Sequence, residues 1–389
     1  MTHQILSALA EHEDQFIALR RHFHQHPEIG FEEHQTSDKV VQLLTEWGYE
    51  VHRGLAGTGV VGTLKVGSSE RRLGIRADMD ALPMQEHSGQ PWASQTDGKF
   101  HGCRHDGHTT TLLYAAQYLA KTRRFNGTLH LIFQPAEELL YGGRVMLEDG
   151  LFDLFPCDRI FGLHNMPGLA VGKIGLHDGP MMASSDTLQI DVHGKGGHGA
   201  MPEHTVDATL VACHITLALQ SIVSRNVSPF DPAVVTVGSI VAGHAPNIIN
   251  ENVQMKLTVR TLNQQVREKV LARISEIATA QAVSFNATAT VKHINGSPVL
   301  NNDPEANAMV RVVASDLFGQ DSVAEVSAFM GSEDFAFLLE KNPRGSYFTL
   351  GAGDEQDRCM VHNPGYDFND RILKTGAALW CGLTEYYLR

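Results

Sequence analysis

Apolar residues recur at helical spacing in two stretches near the N-terminus. Ile5, Leu6, Leu9, Phe16, Ile17 and Leu19 mark a first helix, broken at Pro27. Val40, Val41, Leu43, Leu44 and Trp47 mark a second over 36–47, and Gly48 is its natural stop. Beyond it, short apolar runs at 59–66, 73–77, 128–133 and 159–163 read as strands. Helical patterns separate them: one after His108, carrying Leu112, Leu113, Ala116, Leu119 and Ala120, and a short one from Gly142. Alternation of this kind, with almost continuously apolar strands, predicts an α/β domain whose mostly parallel sheet has helices on both faces.

The pattern changes near Ser184. Strand 186–192, helix 205–224, strands 233–241 and 253–261, helix 265–280 and strand 287–294 follow in that order. This is the order of a split βαβ, ferredoxin-like α+β unit. Helices around 306–317 and 334–339, a strand at 347–350 and a helix from Arg371 then return to the first pattern. The expected organisation is one catalytic domain in two parts, 1–183 and 297–389, interrupted by a smaller domain at 184–296.

Composition narrows the function classes. The 389 residues carry a net charge of −13, which disfavours nucleic acid and anionic membrane surfaces as partners and leaves a small molecule. No apolar run approaches the length of a membrane span, and the N-terminal stretch is too acidic for a signal peptide, so the expected location is the cytoplasm. Five cysteines, 103, 157, 213, 359 and 381, show no framework spacing. Four of them read as buried thiols, and Cys103 stands apart.

Cys103 lies in Phe-His-Gly-Cys-Arg-His-Asp-Gly-His (100–108), nine residues that hold three imidazoles, a thiol and a carboxylate together with two glycines. Cys103 and His105, two positions apart, cannot share a face of a helix, and with a helical pattern following His108 both would reach one ion from an irregular turn that opens it. Sites in open parallel sheets form at the carboxyl ends of strands. Asp78-Met79-Asp80, Glu137-Glu138, His164-Asn165 and a loop with His362-Asn363-Pro364 all follow predicted strands. Adjacent carboxylates after an apolar strand are costly unless solvent or a cation receives them. Cys103, His105, one of Glu137 and Glu138, His164 and His362, with the other glutamate to spare, suffice for two ions, each with an open position.

His-Gly-Cys-Arg-His-Asp-Gly-His, Gln-Pro-Ala-Glu-Glu, Gly-Leu-His-Asn-Met-Pro-Gly, Gly-Gly-His-Gly-Ala-Met-Pro, Gly-Ser-Glu-Asp-Phe and Val-His-Asn-Pro occur in this order. Together they resemble the metal-dependent N-acyl-amino-acid amidohydrolases, and within them the hippurate hydrolase branch of the aminoacylase and carboxypeptidase metallopeptidases. The resemblance runs from His22 to the C-terminus. It implies that Cys103, His105, Glu138, His164 and His362 ligate two divalent metal ions, zinc or manganese first, cobalt or nickel next. It implies that Glu137 is the general base for a metal-bound hydroxide and that Asp80 orients a ligand. It further implies that the inserted domain is a lid that dimerises, with a homotetramer as the larger assembly. His198 would then stabilise the oxyanion in the partner subunit's site, and Asn247 and Arg260 would hold the substrate's carboxylate or backbone. The implied reaction releases a carboxylic acid and an amino acid from a hippurate-like or N-acetyl amino acid.

Each residue also has a plainer reading. Glu137-Glu138 alone is a solvated turn, His164 a satisfied core histidine, and His198 an exposed loop residue. Arg260 could pair with a local acid such as Glu251. His22, His24, His26, His101 and His108 are assigned no metal. A dipeptidase on the same scaffold, a Cys103 nucleophile, and a silent metal- or ligand-binding homologue are the alternatives. The last draws on Arg104, which stands where the motif calls for glycine, and on Leu139-Leu140-Tyr141, which replace a glycine-rich run. A cation at 104 would weaken metal binding, and the bulky run would line or narrow the acyl pocket.

Overall fold

The computed structural model describes residues 2–353 and 359–389. The chain divides into two compact units, Met1–Gly179 with Asn301–Ser327 and Asp334–Arg389, and Pro180–Leu300 with Ala328–Glu333. The first unit contains β1 (Glu50–Leu55), β2 (Gly59–Val66), β3 (Arg72–Asp78), β4 (Gly127–Gln134), β5 (Arg159–Pro167) and β6 (Ile174–Leu176). β7 (Gly179–Met182) leads into the second unit, which holds β8 (Ser184–His193), β9 (Gly197–His198), β10 (Ala233–Ala242), β11 (Ile248–Ile249), β12 (Asn252–Thr261) and β13 (Thr288–Ser297). β14 (Leu300–Asn302) leads back to β15 (Val323–Glu325) and β16 (Gly345–Gly353).

The first unit's eight strands are ordered β1-β2-β4-β3-β5-β16-β6-β15. Its centre, β4-β3-β5-β16, is parallel, and β1, β2 and the β6–β16 pair are antiparallel. β3, β4 and β16 are buried almost throughout. That is why they read as continuous apolar runs, and why the sheet's middle needs helices on both faces. The helix His105–Thr122 is likewise buried along most of its length. Two expectations shift. This helix starts at His105, so only Cys103 and Arg104 belong to the irregular turn. The end of β3 also reaches Asp78.

The second unit is a four-stranded antiparallel sheet, β10-β12-β8-β13, with the helices Ala208–Ser221 and Gln264–Ser284. Its own core joins Ile190, Ile215, Met255 and Ile274. Ala328–Glu333 joins this unit through two backbone bonds, Ala183 N–H to Gly331 O and Phe329 N–H to Met181 O.

Two composition-based expectations are corrected. One segment, Ala208–Asn226, is long and apolar enough to cross a membrane. One of its faces packs on the second unit's sheet through Val211, Ile215, Leu219 and Ile222, while Leu217 on the other is 70% exposed. Of the four cysteines read as buried, only Cys381 is; Cys213 is exposed on that same helix, and Cys157 and Cys359 are partly so.

Candidate metal centre

β3 delivers two carboxylates. Asp78 is fully buried and receives Arg76 Nη1 at 2.8 Å and His108 Nδ1 at 2.6 Å. His108 Nε2 in turn accepts the Asn165 N–H at 3.0 Å, so both ring nitrogens are engaged and His108 is no ligand. Asp80, two residues further, bridges two elements. Its Oδ1 lies 3.0 Å from His105 Nδ1, and its Oδ2 accepts the Glu138 N–H at 2.9 Å. His105 therefore presents Nε2, and Glu138 is fixed by its own backbone.

The remaining groups converge on this point. Cys103 Sγ is 3.2 Å from His164 Nε2, and His362 Nε2 is 3.4 Å from Glu138 Oε2. Glu137 Oε2 stands 3.9 Å from His105 Nε2. Cys103, His105 and His164 form one set with donor atoms within 4.8 Å of one another; Cys103, Glu138 and His362 form a second, and His105, Glu137 and Glu138 a third. All lie in the first unit. His164 and Asn165 lie inside β5, which continues to Pro167 past the expected end at 163, and His362 follows β16.

The electrostatics favour a cation here. Burial works against a charged His105, yet Asp78, Asp80 and Glu138 push it up to about 10. Burial, with His108 beside it, keeps His164 neutral, the form that ligates metals. His105 Nε2 and Glu138 Oε1 are buried without a hydrogen-bond partner. Orphaned donors and acceptors of this kind are costly, and a divalent ion among thiolate, imidazole and carboxylate groups satisfies them together. The residues present fit two metal ions.

Backbone strain gathers at the same place. Among the described residues, eight non-glycine residues have positive φ, and four of them are Arg104 (+71°), Ala136 (+55°), Leu140 (+51°) and His362 (+65°). Such conformations cost on the order of 1–2 kcal/mol each and persist only where the surroundings impose them. Arg104 does take the left-handed conformation that suits glycine, but its guanidinium is buried against His24, Phe100 and Tyr366.

Glu33 was not legible as a site residue. It is fully buried, accepts the Ala136 N–H at 2.9 Å and the Thr58 hydroxyl at 2.7 Å, and so holds the strained residue preceding Glu137. Burial first, then the Asp80 carboxylate, pushes its pKa up to about 7. The acid pair in Phe-Glu-Glu-His follows no predicted strand, so nothing in its place announces this role.

In the second unit, His198 and Asn247 are neighbours. Ile248 pairs with His198 across β9 and β11, and Gly199 N–H donates to Asn247 O at 2.8 Å. A Cβ on residue 199 would stand 3.1 Å from the Asn247 backbone, so the glycine permits the approach. His198 is exposed, and its Nδ1 accepts the Ala200 N–H at 3.0 Å. Arg260, on β12, donates to the Ser332 hydroxyl and not to Glu251.

An α/β unit whose sheet is covered by helices on both faces, with paired acids and imidazoles at its strand ends and interrupted by a ferredoxin-like unit, is the architecture of a dinuclear metallohydrolase. The chain belongs to the peptidase family M20/M25/M40, whose model matches residues 74–386, and it is an amidohydrolase. It is 42% identical to the hippurate hydrolase of Campylobacter jejuni over 386 residues, 99% of this chain and 100% of that one. It is 38% identical to the N-acetyl-L-cysteine deacetylase of Bacillus subtilis over 93% of this chain and 85% of that one. The Bacillus subtilis YXEP protein, a dinuclear metal-binding peptidase, superposes with a TM-score of 0.84 at 32% identity, covering 97% of this chain and 99% of that one.

Proposed function

We propose that the protein cleaves the amide of hippurate-like N-aroyl or N-acetyl amino acids bearing a free α-carboxylate. The observation that carries this reading is the pair of three-residue sets sharing Cys103, with Glu137 buried beside them. His105 and His164 would hold one ion, Glu138 and His362 the other, and Cys103, common to both sets, would serve each. When bound, two divalent ions, zinc or manganese first, lower the pKa of a water and polarise the amide carbonyl.

The protein's own groups do the rest. Glu137 takes the proton of the attacking water at a carboxylate oxygen and returns it to the leaving amine. Asp80 keeps the proton on His105 Nδ1, leaving Nε2 as a donor to metal. Because His198 Nδ1 accepts the Ala200 N–H, its proton sits on Nε2, where it can be donated to the tetrahedral oxygen. Asn247 and Arg260 receive the substrate's carboxylate.

The active form proposed is a cytoplasmic homodimer in which His198 serves the partner subunit's site. Its support is a group of apolar side chains left exposed in the second unit. Leu210 and Leu217 on the helix Ala208–Ser221, and Ile240 and Val241 on the edge strand β10, are exposed by 44–70%. Sedimentation should give twice the chain mass, and Leu217→Asp should return a monomer that has lost turnover.

The deciding assay follows N-benzoylglycine, N-acetyl amino acids and dipeptides with protein as purified, after chelation, and after return of single metals. Turnover should vanish with chelator and reappear with metal. Glu137→Gln should lower kcat about 10³-fold while metal content stays the same. Hydrolysis that survives exhaustive chelation would sink the metal reading; an active Glu137→Gln would sink the base assignment.

A further inference from the structure

Arg104 sits between two of the proposed ligands, and its geometry costs energy twice. Its φ of +71° is disfavoured for any residue with a Cβ, and its guanidinium is fully buried. Neither cost serves the ligands directly, because the guanidinium packs on His24, Phe100 and Tyr366, none of them a proposed ligand. Its charge is balanced by Asp106 and by Asp367, 3.9 Å from Nη1.

The guanidinium is held mainly by rings. Its carbon lies 4.6 Å from the centroid of Phe100 and 5.0 Å from that of Tyr366. Nη1 lies against His24, 2.9 Å from Nδ1 and 3.1 Å from Nε2, while Nε and Nη2 have no hydrogen-bond partner. His24 is itself fixed by Asp106 at 2.9 Å and Glu86 at 3.1 Å. A planar cation between aromatic faces is a role for arginine, which lysine does not fill.

The rings belong to segments that carry different proposed ligands. Phe100 precedes Cys103, whereas Tyr366 and Asp367 follow His362 by four and five residues. The Tyr366 hydroxyl donates to Asn165 Oδ1, and Asn165 Nδ2 donates to Cys103 O at 2.8 Å. One further bond joins the same segments, His362 N–H to Gly102 O at 2.9 Å.

We infer that Arg104 is a positioning residue: stacked between Phe100 and Tyr366, it straps the segment bearing His362 onto the turn bearing Cys103. Its loss releases His362 selectively, because His105 and His164 are anchored by other partners, Asp80 and the Asn165 carbonyl. The inference rests on the metal-centre reading above.

Cobalt(II) titration of the full chain tests it, read by the visible bands of the ion and the charge-transfer band of the Cys103 thiolate. The unsubstituted protein should bind two equivalents; if it does not, the metal reading fails before Arg104 is at issue. Arg104→Gly relieves the φ strain and should fold, yet bind one equivalent at least tenfold more weakly and the other unchanged. Arg104→Lys should not restore the lost affinity. If Arg104→Gly does not fold, Tyr366→Phe decides: it keeps the stack and cuts the link to Asn165, and should weaken the same equivalent about threefold. Two equivalents bound as tightly as before, or both weakened equally, in a folded variant would overturn the strap.

Discussion

At the scale of single residues, Asp80 controls more than its neighbours do. One carboxylate fixes the ring of His105 and the backbone of Glu138, so it sets the relation between a ligand of each proposed ion. Asp80→Asn keeps the size but replaces one acceptor with an N–H₂ that opposes an existing donor. Metal affinity should fall 10- to 100-fold, measured by competition with a chromophoric chelator, with the melting midpoint little changed. Cys103, His105, Glu138, His164 and His362 were legible because thiol, imidazole and carboxylate groups announce metal chemistry by type and place. Glu33 was not, since only tertiary burial turns it into the support of Ala136. Arg104 was legible as an anomaly but not as a strap, because its partners lie 80 and 262 positions away, at His24 and Tyr366.

At the scale of elements, two positions separate local propensity from packing. Gly107 lies in the first turn of the helix His105–Thr122, where alanine would ordinarily gain about 1 kcal/mol. A Cβ there would meet the Phe368 ring at 2.3–2.6 Å, and Phe368 is buried. Gly107→Ala should therefore destabilise by roughly 1–3 kcal/mol in chemical denaturation, and a neutral or stabilising result would count against this packing. His130 couples β4 to β2 through Thr63 at 2.9 Å, and burial followed by Arg72 lowers its pKa to about 4. Unfolded, it titrates near 6.5, so between pH 6.5 and 4 the unfolded chain binds the extra proton and stability falls as pH falls. The contribution is on the order of 3 kcal/mol, and His130→Gln should flatten the loss across that window. Sequence periodicity located these elements, but strand direction was beyond it: β1 and β2 run antiparallel to their neighbours, and an apolar run carries no sign of direction. The helix start moved to His105 because a left-handed Arg104 ends the turn, a backbone event that apolar spacing cannot register.

At the scale of the whole chain, the interruption of one pattern by another was visible in sequence because a ferredoxin-like order of elements breaks the α/β alternation. Its limits were less so. The expected insert at 184–296 compares with a compact unit of Pro180–Leu300 that also takes in Ala328–Glu333, and the bonds that recruit the latter are between backbone groups, which no side-chain pattern reports. Each unit has its own apolar core, so unfolding need not be a single step. All the proposed ligands lie in the first unit, at positions 103, 105, 138, 164 and 362, and an ion that binds only the folded form stabilises that unit by mass action. At a thousandfold excess over Kd the gain is about 4 kcal/mol, or roughly 10 °C for a unit of this size. Calorimetry of the chelated protein should resolve two transitions, and added metal should raise one of them by about that amount while the other stays in place. Leu217→Asp should lower only that other transition, by abolishing association, which distinguishes metal stabilisation from stabilisation by association. Two transitions that shift together, or a single one that ignores metal, would mean that the ligands do not close a centre within the first unit.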